Sequence, residues 1–289
     1  MGDPTVALVA PLTLRPLPGG LGAEVLGLAV AEVDAAIFPA LYAAFLAHQL
    51  LLFRDQVLPP AAQVACARRF GEVQVHVMDQ YHASDYPELY TLTNLDPAGN
   101  PTGKHPDRGT LVWHTDGSWR RTTGQATMLY AERLPSTGGG TQWADTYAAY
   151  EALDPAERAR LSGMRAVHNL NFSRNRRHGE EPMSEAQRAA VPPVDHPIVR
   201  THSETGRKCV FLGDHAESMV GMDYAEGRAF IDALNERIVA LARIYTHRWR
   251  PGDFMVWDNR CLLHRAEGYD TAREPRVIRR CTILGEVPV

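Results

Sequence analysis

A histidine and an aspartate stand two residues apart, His114 and Asp116, within Leu111-Val-Trp-His-Thr-Asp-Gly-Ser-Trp119. This pair constrains the chain more than any other feature. In an extended strand, side chains two apart share a face, so both can point at one metal ion. Leu111, Val112 and Trp113 read as the strand that carries the pair into the core, and Gly117 and Ser118 end it in a turn. The clamp is therefore expected at a strand end.

A histidine followed two residues later by an acid also occurs at His105/Asp107, His178/Glu180, His202/Glu204 and His215/Glu217. A chain with 12 His and 34 acids produces such pairs by chance. His114 and Asp116 differ because a third ligand candidate, His264, closes the run Trp249-Arg-Pro-Gly-Asp-Phe-Met-Val-Trp-Asp-Asn-Arg-Cys-Leu-Leu-His264. Two histidines and one carboxylate on one face of a metal, with positions left open, form the facial triad of non-haem Fe(II) oxygenases. Zinc hydrolases accept the same donors, so a cupin-type hydrolase or isomerase stays open at this point.

Composition narrows the class. At 289 residues with 45% hydrophobic and 22% charged content, the chain can bury a large core as one domain spanning residues 1–289. Net charge is −4 and the basic residues are scattered, which argues against nucleic acid as a partner. The short runs Arg120-Arg121 and Arg174-Asn-Arg-Arg177 read either as a solvated loop face or as a guide for an anionic substrate. Cys66, Cys209, Cys261 and Cys281 are widely spaced, as expected of buried free thiols in a reducing cytoplasm. No signal peptide or membrane span is read, so a cytoplasmic location is expected.

Taken in order, residues 5–30 read as an opening strand and hairpin punctuated by Pro and Gly. Ile37, Leu41, Ala44, Phe45 and His48 fall at helical spacing with Pro39 in the first turn. Leu50 to Phe53 is a buried strand, and a second helix runs from Pro59-Pro60 to Phe70. Residues 96–110 carry three Pro and three Gly and form a long loop, either a lid over the clamp or a plain surface excursion. Ala126 to Ala131 is a strand, Pro135 to Gly140 a turn into a strand at Thr141 to Trp143, and two short helices follow at Tyr147 to Leu153 and Pro155 to Leu161.

Residues 169–191 are polar and poorly periodic, and read as an insertion. Val194 to Arg200 and Lys208 to Phe211 are strands joined by a turn at Glu204. Asp223 and Glu226 make a capping-box pattern before a long helix whose apolar face is Phe230, Leu234, Ile238 and Leu241. Strands follow at Phe254 to Trp257, Leu262 to Ala266 and Val277 to Leu284. The expected fold is mostly β with flanking helices, a double-stranded β-helix (jelly-roll) barrel with helical insertions.

If Arg276 to Leu284 is a strand, Arg276 and Arg280 share one face and Arg279 points the other way. Two guanidiniums near a metal suit a diacid cosubstrate and an acidic substrate. The alternative is a pair of structural ion pairs on an edge strand.

With these residues assembled, the chain resembles the family of Fe(II)/2-oxoglutarate-dependent oxygenases that contains taurine dioxygenase and the 2,4-dichlorophenoxyacetate dioxygenases. The anchors are Arg69-Phe-Gly-Glu72 with His76, Trp113 to Asp116, Leu134-Pro-Ser-Thr-Gly-Gly-Gly-Thr141, Trp257-Asp-Asn-Arg260 with His264, and Arg276 to Gly285. The resemblance implies that His114, Asp116 and His264 ligate Fe(II), and that 2-oxoglutarate and O2 are cosubstrates. Arg276 and Thr141 would hold the distal carboxylate of 2-oxoglutarate. His76 and Arg280 fall where taurine dioxygenase contacts its sulfonate, and Asp79 stands where that enzyme uses an aromatic, which argues against taurine.

The implied reaction is hydroxylation of a small carboxylate or sulfonate, with C–O or C–S cleavage where the carbon bears oxygen or sulfur, releasing succinate and CO2. A phenoxyalkanoate-like acid is favoured. The runner-up is a biosynthetic oxygenase that hydroxylates or desaturates an amino-acid-like acid. The family also implies a homo-oligomer.

Overall fold

The structure, a computed structural model, describes residues 12–289 apart from 79–81, 84 and 181. The expected first strand lies partly in the undescribed residues 1–11, and Asp79 lies outside the described residues altogether.

The largest element is an eight-stranded sheet, in the order Thr13–Pro16, Ala23–Leu26, Leu50–Phe53, Phe254–Asp258, Gly124–Arg133, Val277–Leu284, Tyr86–Thr93, His82–Ala83. Every pairing in it is antiparallel except the one between Ala23–Leu26 and Leu50–Phe53. A three-stranded sheet, Arg243–His247, Thr141–Asp145, Leu262–Ala266, contributes Trp143, Tyr245 and Leu262 to the core it shares with the large sheet. A second three-stranded sheet joins Ala216–Met219, Arg165–His168 and Val194–Pro197, and Val199–Thr201 pairs with Lys208–Val210. The fold is thus mostly β with flanking helices, as the pattern of short strands predicts.

Leu50–Phe53 shows why a continuous apolar run appears where a half-buried strand would alternate. Leu51 and Phe53 join one core cluster with Phe45, Phe70 and Val256, against the helices Phe38–His48 and Pro60–Phe70. Leu50 and Leu52 join another with Trp143, Met255 and Trp257, on the side of the three-stranded sheet. A strand with both faces covered has no position for a polar side chain. Burial of this kind stabilises by roughly 25 cal/mol per Å² of apolar surface, and it makes these strands a stiff frame.

The helices Phe38–His48, Pro60–Phe70, Thr146–Ala152 and Pro155–Leu161 lie within a residue of the positions their periodicity and Pro signals predict. Leu262–Ala266 and Val277–Leu284 have the predicted bounds.

Three expectations change. Leu111 to Trp113 is not a strand: Arg108–Leu111 is a turn of 3-10 helix, and His114 makes a single bridge before the turn at Gly117. The Pro- and Gly-rich approach leaves too few paired residues for a ladder. Asp223 caps the helix Tyr224–Leu241 by accepting from Ala225 and Glu226 backbone N–H groups, without the reciprocal Glu226 bond of a capping box. That helix buries Gly227, Ile231, Leu234 and Ile238, so Phe230 and Leu241 flank the buried stripe. The strands Tyr86–Thr93, Arg165–His168 and Arg243–His247 have no clear alternation and were legible only in three dimensions.

Candidate metal centre

His114 and His264 are brought together by backbone pairing. The two residues exchange both hydrogen bonds of an isolated antiparallel bridge, His114 N–H to His264 O at 3.0 Å and His264 N–H to His114 O at 2.8 Å. Their rings lie 4.1 Å apart between centroids. Asp116 follows after one residue, and the donor atoms of His114, Asp116 and His264 all lie within 4.8 Å of one another, every one buried. The other His-x-acid pairs form no such group among the described residues.

The donors are held from behind. His114 Nδ1 lies 2.8 Å from the Val112 carbonyl, which fixes that nitrogen as the protonated one and leaves the Nε2 lone pair for a metal. Asp116 Oδ2 accepts from the Thr127 hydroxyl at 2.7 Å, and Oδ1 pairs with Arg280 at 2.9 Å. Burial pushes the Asp116 carboxyl up, but Arg280, His264 and His114 outweigh it and hold the group well below the carboxylate range. Asn259 binds this assembly together: its amide donates to Thr127 Oγ1 at 2.9 Å and its carbonyl accepts from Asp116 N–H and from the Trp257 indole. Neither Thr127 nor Asn259 was singled out from sequence, although Asn259 sits in the Trp257-Asp-Asn-Arg260 run.

Backbone contact sets the remaining position. Gly117 has φ +72°, and a Cβ on it would lie 2.6 Å from Gly124 N; a Cβ on Gly124 would lie 2.5 Å from Asp116 O. The turn after Asp116 is therefore pressed against the first residue of Gly124–Arg133, where any side chain would displace the carboxylate.

Arg276, Arg280 and Thr141 line the same cavity as the triad, with Leu92, Leu129 and Trp257 as its apolar walls. Arg279 points away as predicted, to the Leu58 carbonyl, Glu132 and the Tyr130 ring. Arg276 is 3% exposed and, among the described residues, has no acid within ion-pair distance. Its Nε has no hydrogen-bond partner, and burial pushes its pKa down to about 10. A buried cation without an anion is costly, and an anion bound here would offset that cost. Thr141 Oγ1 accepts from the Trp249 indole N–H at 2.9 Å, which leaves its own hydroxyl proton to donate elsewhere.

His76 does not line this cavity. It packs edge-on against Tyr90 and Trp119, and burial followed by the nearby Arg280 charge pushes its pKa well down. The Arg280 guanidinium lies 5.7 Å over Tyr90, so His76 sits one ring behind it.

The loop 96–110 supplies His105, Pro106 and Thr110 to the cavity wall. It is laced to the segment before Arg276, with Asn94 Nδ2 donating to Thr271 and Glu274 carbonyls and Gly103 N–H to Thr271 O. Phe172–Arg177 forms a π-helical turn from which Ser173 and His178 both bind Asp214, while Glu180 accepts from Arg108 N–H at 2.7 Å. Residues 169–191 also bury Leu170, Phe172, Met183 and Val191.

Two imidazoles, one carboxylate, open space beside them and a buried guanidinium awaiting an anion define a metal-dependent enzyme that takes an acidic cosubstrate. The donor chemistry fits Fe(II), and the unpaired Arg276 fits one carboxylate of a diacid.

The chain belongs to the taurine catabolism dioxygenase TauD, TfdA family, whose model matches residues 13–282. It is 37% identical over 250 residues to the alpha-ketoglutarate-dependent 2,4-dichlorophenoxyacetate dioxygenase of Cupriavidus pinatubonensis, covering 83% of this chain and 86% of that one. It is 35% identical to the (S)-phenoxypropionate/alpha-ketoglutarate-dioxygenase of Delftia acidovorans, covering 95% of each. A similar solved structure is that of AAD-2 in complex with Mn(II) and N-oxalylglycine, with TM-score 0.84, 30% identity, and coverage of 96% of this chain and 98% of that one. The protein is an Fe(II)- and 2-oxoglutarate-dependent dioxygenase, and the hydrolase or isomerase reading falls away.

Proposed function

We propose that His114, Asp116 and His264 hold the Fe(II), that Arg276 and Thr141 hold the distal carboxylate of 2-oxoglutarate, and that the anion of a small acidic substrate is received at Arg280; His76 and Asp79 are the further substrate-binding residues that the resemblance implies. The observation that carries the reading is Arg276, a buried guanidinium in the cavity of the triad with no acid partner among the described residues. Bound Fe(II) and 2-oxoglutarate supply the oxidising chemistry, consuming O2 and releasing succinate and CO2.

The chain's own residues do the positioning. The Thr141 hydroxyl, fixed by Trp249, donates beside Arg276. Arg280 carries its charge between Asp116 and the cavity, so a substrate anion placed there lies close to the metal ligands. Leu92, Leu129 and Trp257 exclude water and favour an apolar body attached to that anion.

The substrate class is a phenoxyalkanoate-like acid rather than taurine, supported by these apolar walls and by the named activities of the similar dioxygenases. Hydroxylation of the carbon that carries an ether oxygen gives a hemiacetal, which collapses with C–O cleavage.

The large sheet and the three-stranded sheet form the two halves of a double-stranded β-helix within one domain over 1–289, an arrangement supported by the core they share. Residues 96–110 act as the lid and 169–191 as the insertion that braces it, supported by the Glu180 to Arg108 bond. Among the described residues no helix is long and apolar enough to cross a membrane, and the four cysteines are free and buried, as suits a reducing cytoplasm; the homo-oligomer is implied by the resemblance alone, and the scattered basic residues speak against a nucleic-acid partner.

The test is anaerobic. Fe(II) and 2-oxoglutarate added to metal-free protein should give a weak visible charge-transfer band, absent in His264→Ala. Consumption of 2-oxoglutarate in air is then compared for phenoxyacetate, taurine and an amino-acid-like acid. A folded wild type that binds metal but shows no band overturns the site assignment, and preference for the amino-acid-like acid overturns the substrate class.

A further inference from the structure

A cleft outside the metal cavity is lined by Glu72, Trp119, Arg120, Arg121, Val191 and Leu284. Arg120 lies 4.9 Å over the Trp119 ring. Neither Arg120 nor Arg121 has an acid within 4.0 Å among the described residues, whereas other arginines, such as Arg165 with Asp195 and Arg15 with Glu24, form closed pairs. Arg120 Nε is buried without a hydrogen-bond partner, and burial alone pushes its pKa down. A stacked guanidinium with an unused N–H, an exposed second guanidinium beside it and apolar walls opposite match an anion that carries an apolar body.

We propose that this cleft is a second binding site for an amphiphilic organic anion, an aryl or alkyl carboxylate, separate from the metal cavity. Only the ligand's chemical class rests on the functional reading above.

The cleft is mechanically tied to the metal centre. Arg120 N–H donates to Gly117 O at 3.1 Å, in the turn that follows Asp116. Trp119 contacts the His76 ring at 5.6 Å, His76 contacts Tyr90 at 5.1 Å, and Arg280 lies over Tyr90. An anion in the cleft thus sits against the outer end of a run of rings whose inner end is Arg280.

The experiment is calorimetric titration of phenylacetate into full-length protein, with Trp fluorescence as a second readout. Wild type should show separate cavity and cleft binding. Arg280→Met should remove the first and keep the second, with Trp119 fluorescence still changing. Arg120→Gln combined with Arg121→Gln should weaken the second by about tenfold or more while leaving the Fe(II) and 2-oxoglutarate band intact. Arg121→Gln alone, at an exposed position, should weaken it about threefold without risk to folding. A folded double variant with the wild-type isotherm, or loss of all binding in Arg280→Met, overturns the proposal. Failure of the cavity reading would instead remove only the event that depends on Arg280.

Discussion

His114 and His264 are direct partners in an antiparallel bridge, each donating its backbone N–H to the other's carbonyl. Two candidate ligands from distant parts of the chain are thereby placed by main-chain hydrogen bonds rather than by side-chain packing. The remaining candidate ligand, Asp116, depends on the Gly117 turn and on side chains from Gly124–Arg133 and the Trp257-Asp-Asn run, and it is the more vulnerable member.

Asn259→Ala should loosen Asp116. The change leaves the Trp257 indole and the Thr127 hydroxyl without their buried partner, which costs about 1–3 kcal/mol of stability. Metal affinity should fall about 10–100-fold, as for other groups that orient metal ligands. Mn(II) titration followed by electron paramagnetic resonance checks it, and unchanged affinity would remove the positioning role.

Gly124→Ala should act through the backbone. Its Cβ meets Asp116 O at 2.5 Å, so the turn must move; overpacking of this kind costs about 1–3 kcal/mol. Thermal unfolding and the 2-oxoglutarate band should both report the loss.

Arg276→Met should separate stability from function. It removes a buried cation that has no acid partner among the described residues, so the ligand-free protein should gain about 1–3 kcal/mol, in the range seen when buried charges are replaced by apolar side chains. Stabilisation by added 2-oxoglutarate, read as a rise in Tm, should disappear in the same variant.

Trp249→Phe should weaken 2-oxoglutarate binding by an indirect route. Losing the indole N–H frees Thr141 to rotate, and the expected cost of about 0.5–1.5 kcal/mol corresponds to a loss of up to about tenfold in affinity. Thr141→Val should match or exceed it. Equal affinity in wild type and Trp249→Phe would show that the hydroxyl is not oriented this way.

His168 sets an acid limit. It is fully buried, stacks on Phe211 and meets His196 edge-on, and among the described residues neither ring nitrogen has a hydrogen-bond partner. Burial, then His196, push its pKa well below the ordinary 6.5. The unfolded chain therefore binds the proton first, and stability present above pH 6.5 is lost as pH falls toward the folded value, by at most about 1.4 kcal/mol per pH unit. Tm measured from pH 7.5 to 5 should fall less steeply in His168→Leu than in wild type.

Much of the frame was legible because its signals are local. Leu50 to Phe53 reads as a buried strand, Pro39 fits only within a first helical turn, Pro60 opens the second helix, and Arg276 and Arg280 share a face if they lie on one strand, which in the structure begins at Val277 with both arginines lining the cavity. Tyr86–Thr93 escaped notice because an element recruited by its neighbours carries little periodicity of its own. The segment before His114 was misread as a strand for the related reason that its apolar residues pack without a ladder.

The sequence alone determined the chemistry on offer: which donors are present, that a carboxylate accompanies two imidazoles, and that Arg276 and Arg280 bring two guanidiniums near them. Only the tertiary structure decided which histidines meet, that Arg276 lies buried without an acid among the described residues, and that Thr127, Asn259 and Trp249 hydrogen-bond to Asp116 and Thr141. Residue type and short-range spacing are written in one dimension, whereas burial and the pairing of distant backbone groups exist only once the sheets have closed on each other.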